Sequence, residues 1–74
     1  MQMENKLKKI FKRIFKKKRV ENLSSNDDKN WDSLRHLDLI FALEEEFNIK
    51  FTNKEITSIK NYKICLMILK KKLK

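Results

Sequence analysis

The sequence predicts an all-α fold, a small four-helix bundle with three longer helices and one short one. Three observations carry this. Apolar residues recur at spacings of three and four in separate stretches. Side chains that cap helices stand where those stretches begin. Turn-forming residues fill one long connection and two short ones. The 74 residues allow one domain with one modest core, so residues 1–74 are read as a single unit.

The first helix is expected over about residues 4–18. Leu7, Ile10, Phe11, Ile14 and Phe15 form one apolar stripe, with Lys and Arg on the other face. Packing of the stripe into the core competes with an interfacial membrane helix, which uses the same residue types. Residues 19–32 read as a loop. Asn22, Ser24, Ser25, Asn26, Asp27, Asp28 and Asn30 favour turns, and Leu23 and Trp31 are expected to pin the loop to the helices. The second helix is expected over about 33–47, with Asp32 or Ser33 as its N-cap. It carries two apolar stripes. His36, Leu39, Ile40, Leu43 and Phe47 line one side; Leu34, Leu37 and Phe41 line another, flanked by Asp38, Glu44 and Glu45. A bundle this small rarely buries both faces, so the second stripe is expected to be exposed as a partner-binding surface. Thr52-Asn53-Lys54-Glu55 has the form of a capping box and opens a short helix, about 53–58, with Ile56 and Ile59 facing inward. Asn61 is placed to cap a last helix, about 62–73. Its inner row is Tyr62, Cys65, Ile68 or Leu69, and Leu73, and lysines 70–72 and 74 suit the negative end of its dipole.

The composition excludes several classes. With no Gly there is no phosphate-cradling loop of the Walker or Rossmann type. One Cys cannot form an internal disulfide, and one Cys with one His cannot supply a structural zinc site, so a reduced cytoplasmic setting is expected. No apolar core of a signal peptide follows the basic start, and the runs Leu39–Leu43 and Ile64–Leu69 are too short to span a bilayer. The net charge of +9 suggests a polyanion binder, but its distribution qualifies that. Residues 1–20 carry nine Lys and Arg against one Glu, and residues 50–74 carry eight Lys against one Glu. Residues 21–49 carry two cations and eight acids. The chain is basic at both ends and acidic in the middle.

Ser33 stands at a helix start, where backbone N–H groups and the dipole favour an attached phosphate. On spacing alone, capping is its simplest role. A hydrolase built from Ser33, His36 and Asp38 or Asp32 would need an oxyanion hole and a cleft, and no G-x-S-x-G elbow is present. The third reading makes Ser33 an attachment point beside a docking surface, with a partner enzyme supplying the chemistry.

The stretch Asp32-Ser33-Leu34 through Ala42-Leu43-Glu44-Glu45-Glu46-Phe47 resembles the Asp-Ser-Leu motif and second helix of acyl carrier proteins. The likeness continues over Ile49, Phe51 and the last two helices, and covers residues 32–69 well. It implies the acyl-carrier type of four-helix bundle, without catalytic residues or a metal of its own. It implies a 4′-phosphopantetheine arm on Ser33, attached from coenzyme A by a phosphopantetheinyl transferase, whose thiol holds acyl groups as thioesters. It implies docking of partner enzymes through Asp32, Leu34, Leu37, Asp38, Phe41, Glu44 and Glu45. The implied partners are that transferase, an acyl-loading ligase or synthase, and acyl-transferring enzymes; a monomer is expected, and no nucleic acid. The chain departs from the family in three ways. Asn30 stands where Gly is usual, Trp31 replaces a small residue, and the family is typically acidic. The Trp-Asp-Ser-Leu form followed by His36 looks more like specialised carriers of polysaccharide or secondary-metabolite clusters. The rival reading is a basic helical adaptor that binds nucleic acid or an anionic membrane surface through its ends. Peripheral membrane contact through those ends is compatible with a carrier as well.

Overall fold

Four helices follow one another in the computed structural model, which describes residues 2–26 and 29–73: α1 (Gln2–Phe15), α2 (Ser33–Phe47), α3 (Asn53–Ser58) and α4 (Tyr62–Lys72). Asp27, Asp28 and Lys74, read above as turn formers and as a dipole-complementing cation, lie outside the described residues.

The apolar stripe of α1 is buried throughout: Leu7, Ile10, Phe11, Ile14 and Phe15 all face the core. This leaves no membrane-facing apolar stripe on α1. The helix starts earlier than expected, at Gln2, and stops at Phe15 rather than near residue 18. The next positions on the buried stripe are Lys18 and Arg19, whose charged head groups cannot be buried there unpaired. Lys16 instead turns left-handed, with φ 55°, and its N–H donates to the Lys12 carbonyl at 2.8 Å. That conformation costs a non-glycine residue about 1–2 kcal/mol. The turn brings Val20 back into the core, fully buried.

Phe11 is the hub. Its ring lies 5.5 Å from Phe15, 5.8 Å from Trp31 and 5.2 Å from Tyr62, and Trp31 lies 4.7 Å from Phe15. Trp31 is thus a core residue that fastens the end of the long loop to α1. The middle of the loop is tied to the α3–α4 junction. Ser25 donates its N–H to Lys60 at 2.7 Å, and Tyr62 donates to Leu23 at 3.1 Å.

Capping follows the residue types. The Thr52 hydroxyl accepts from the Glu55 N–H at 3.1 Å, and the Glu55 carboxylate accepts from the Thr52 N–H at 2.9 Å. Lys72 reaches back to Glu55 at 2.9 Å and lies 5.6 Å above the Phe51 ring, tying α4 to α3. The Thr52 hydrogen bond, followed by Lys72, holds the Glu55 carboxyl below the ordinary carboxylate range. Asn61 caps α4, accepting from Ile64 at 2.7 Å. Tyr62, Cys65 and Leu69 face inward, whereas Ile68 is half-buried. Leu73, expected on the inner row, lies past the last helical turn as the C-cap and is exposed. Among the described residues, no helix is long and apolar enough to cross a membrane.

Candidate functional site

Asp32 is the N-cap of α2. Its backbone is extended (φ −97°, ψ −176°) and its carboxylate accepts from the Arg35 N–H at 2.8 Å. Its carbonyl receives the His36 N–H at 2.9 Å, the first turn of the helix. Capping therefore falls to Asp32 and not to Ser33. Ser33 occupies the first helical position and is exposed. Among the described residues, none forms a hydrogen bond with the Ser33 hydroxyl. The hydroxyl thus sits beside the positive end of a 15-residue helix with no structural task.

The start of α2 is held rigidly. Arg35 Nη1 donates to the Ile14 carbonyl at 2.7 Å, placing a cation on the negative end of α1. Trp31 Nε1 donates to His36 Nδ1 at 3.0 Å, and His36 Nε2 lies 2.7 Å from the Ile56 carbonyl. An indole nitrogen can only donate and a carbonyl can only accept. His36 must therefore accept at Nδ1 and donate at Nε2. Both ring nitrogens are occupied, so His36 has no lone pair for Ser33. The Ser33–His36–Asp hydrolase loses its base.

A groove of about 460 Å³ opens beside Ser33, lined by Trp31, Asp32, His36, Leu37, Thr57 and Ile59 among others. Along the outward face of α2, Leu34, Leu37 and Phe41 are 67%, 45% and 61% exposed. Asp38 and Glu45 are exposed beside them and, among the described residues, join no ion pair. A larger groove of about 530 Å³ lies at the far end of the stripe, between Phe41, Glu44, Glu45, Asn48, Ile49 and Lys50. Glu44 differs from its neighbours: its carboxylate accepts from the Phe51 N–H at 2.9 Å and anchors the loop after α2. Glu46 is drawn to Lys6 of α1 at 3.7 Å. No group of three or more His, Cys, Asp or Glu side chains that could hold a metal occurs among the described residues.

Two solved structures of the same fold can be set beside the chain. The holo acyl carrier protein of Geobacter metallireducens, solved by NMR in solution, superposes with a TM-score of 0.81. It is 34% identical, over 99% of this chain and 87% of that one. The chain belongs to the acyl carrier protein family. A Mycobacterium tuberculosis protein assigned to acyl carrier proteins superposes with a TM-score of 0.78 at 28% identity, over 88% of this chain and 90% of that one. No family model matches the chain, and no curated protein does. Acyl carrier proteins are carriers without catalysis of their own, and the fold implies interaction with biosynthetic enzymes in general.

No sequence pattern marks Arg35 or the Trp31–His36–Ile56 chain as neighbours of Ser33. Arg35 and Ile14 are 21 residues apart, and no periodicity links them. The signal that was available for His36 was its place on the inner stripe of α2, where a polar ring needs partners.

Proposed function

We propose that this acyl carrier protein is modified on Ser33 with 4′-phosphopantetheine and presents acyl groups to enzymes that dock on α2. When attached, the arm supplies a thiol that holds an acyl group as a thioester. The observation that carries the assignment to Ser33 is the division of labour at the helix start. Asp32 caps, so the neighbouring hydroxyl is exposed and unengaged at the positive end of α2. A phosphate on Ser33 Oγ would lie against the first N–H groups of that helix. The groove between Trp31, His36, Leu37 and Ile59 gives the rest of the arm an adjacent apolar seat.

In this reading a phosphopantetheinyl transferase forms the bond. Ser33 Oγ attacks the β-phosphorus of coenzyme A, the pyrophosphate bond breaks, and 3′,5′-ADP leaves. The hydroxyl proton passes to a base of the transferase, since His36 cannot take it. Acyl-loading ligases or synthases, and then acyl-transferring enzymes, approach over Leu34, Leu37, Phe41, Asp38 and Glu45. Asp32 and Glu44 add negative charge at the two ends while serving the fold. A monomeric, cytoplasmic carrier of a specialised pathway goes with this reading.

Co-expression with a phosphopantetheinyl transferase followed by intact-mass measurement tests it. The expected result is a gain of one phosphopantetheine that is lost in Ser33→Ala. No gain with several transferases, or a gain that survives Ser33→Ala, overturns it.

A further inference from the structure

A three-part hydrogen-bonded chain, Trp31 to His36 to the Ile56 carbonyl, stands beside Ser33. Trp31 stands two residues before Ser33, His36 three residues after it, and Ile56 on α3. Trp31 and Ile59 line the groove beside Ser33, with His36 among its lining. We propose that His36 is a positioning residue for this site: as the neutral Nε2–H tautomer it clamps Trp31 and α3 together, and a proton taken up at Nδ1 frees Trp31 while α3 stays bound. The inference rests on the carrier reading only for its consequence, the placing of Ser33 and its groove.

The chemistry makes the release one-sided. In the neutral ring Nδ1 accepts from Trp31 and Nε2–H donates to Ile56. A proton from solvent fills the Nδ1 lone pair, so two N–H groups would then face each other at 3.0 Å. The indole loses its acceptor inside the core, and a buried donor without a partner is unfavourable. At the other nitrogen the bond survives and becomes charge-assisted. Trp31 immediately precedes the N-cap Asp32, so movement of the indole passes directly to the start of α2.

Few charged groups stand near the hydrogen-bonded chain. From the loop the nearby charged group is Asp32, and from the chain after α3 it is Lys60; both line the same groove. On α2 itself Arg35 is committed to the Ile14 carbonyl. On α3 Glu55 is tied to Thr52 and Lys72. From α1 the packed groups are the Phe11 and Phe15 rings, which touch Trp31. Of these side-chain classes only histidine ordinarily changes charge between about pH 5 and 8.

The chain has one Trp and one His, so each end of the bond can be followed without labels at other sites. The experiment is a pH titration of the unmodified chain by NMR and tryptophan fluorescence, from about pH 8 to about pH 5. The expected result is one shared midpoint for the His36 ring protons, the Trp31 indole N–H and the Ser33 and Leu34 amides. Trp31 emission should shift to the red, and the Thr57 amide should move least. Helix content by circular dichroism should hold. His36→Gln, which cannot titrate, should flatten all of these profiles. The proposal is overturned if Trp31 and Ser33 stay constant while His36 titrates, or if α3 moves instead of Trp31. Loss of helix at the same midpoint, or an unchanged profile in His36→Gln, overturns it too. None of the readouts requires the arm, so a Ser33 that took up no phosphopantetheine would count against the carrier reading alone.

Discussion

Asp32 and Ser33 show how two adjacent side chains with similar capping ability acquire different duties. The carboxylate takes the Arg35 N–H, and the hydroxyl one position later is left facing water. Cys65 is the opposite case, a nucleophile with its reactivity suppressed. It is fully buried, and burial pushes its thiol up to about 12 from an ordinary value of 9.0. The sign matters for labelling. A raised value keeps the thiol protonated, and at pH 8 a value near 12 leaves about one thiolate in 10⁴, against about one in ten at 9.0. The folded, unmodified chain should therefore react with a thiol reagent about a thousand-fold more slowly than the same chain in denaturant. Attachment of the proposed arm should add one fast-reacting thiol per chain, and Cys65→Ala should leave that stoichiometry unchanged. Fast labelling of the native unmodified chain would show Cys65 to be accessible and would remove the argument.

At the scale of elements, α2 is the part with two allegiances. Leu39, Ile40 and Leu43 hold it in the core, while Leu34, Leu37 and Phe41 remain outside. Asp38 and Glu45 are the acids on the outward face that have no structural task. Reversing both to Lys should slow modification of Ser33 about ten-fold at low ionic strength, because charge pairs at a rim act mainly on association. Added salt should shrink the effect, and helix content should stay constant. An equal rate for the doubly reversed chain would move the docking face elsewhere. Glu44→Lys is a different experiment. It strips the Phe51 N–H of its acceptor, at a cost of about 1–3 kcal/mol, and should lower the melting temperature before it says anything about docking. Both stripes of α2 were legible in the sequence, since each is a periodicity within one helix. The capping box at Thr52 and the cap at Asn61 were legible because caps are local. What could not be read was set by contacts between distant residues. The choice between Asp32 and Ser33 as the cap depends on backbone angles. The bond from the Phe51 N–H to Glu44 crosses a loop, and no local pattern announces it. Lys16–Lys18 are good helix formers and extend the expected α1, whereas the chain turns at Lys16 and buries Val20.

For the whole molecule, the net charge of +9 and the proposed docking surface differ in sign. The acidic, partly apolar face is α2, and the cations gather on α1 and at the end of α4. The aromatic rings near those cations, Phe11, Phe15 and Tyr62, are buried, so the basic faces present none of these rings for base stacking. Three ion pairs occur among the described residues: Lys6 with Glu46, Lys70 with Glu4 and Lys72 with Glu55. Along α1 the cations also face one another, with Glu21 as a nearby acid for Lys8 and Lys12. Lys8–Lys12 and Lys9–Arg13 are four residues apart, and Lys6–Lys9 and Lys9–Lys12 are three apart. Like-charge pairs at these spacings cost about 0.2–0.5 kcal/mol each, so the four together cost about 1–2 kcal/mol at low salt. The Debye length falls from about 30 Å at 0.01 M to about 3 Å at 1 M, which removes most of that repulsion. In a domain of this size 1 kcal/mol corresponds to about 4–8 °C, so sodium chloride over that range should raise the melting temperature by about 5 °C or more. Lys9→Glu sharpens the test, because Lys9 is exposed and belongs to three of the four pairs. The substitution turns all three from repulsive to attractive, so the variant should melt higher than the parent at low salt and respond less to added chloride. A parent whose melting temperature falls with salt, or a variant with the same salt slope as the parent, would show that α1 is not under this electrostatic load.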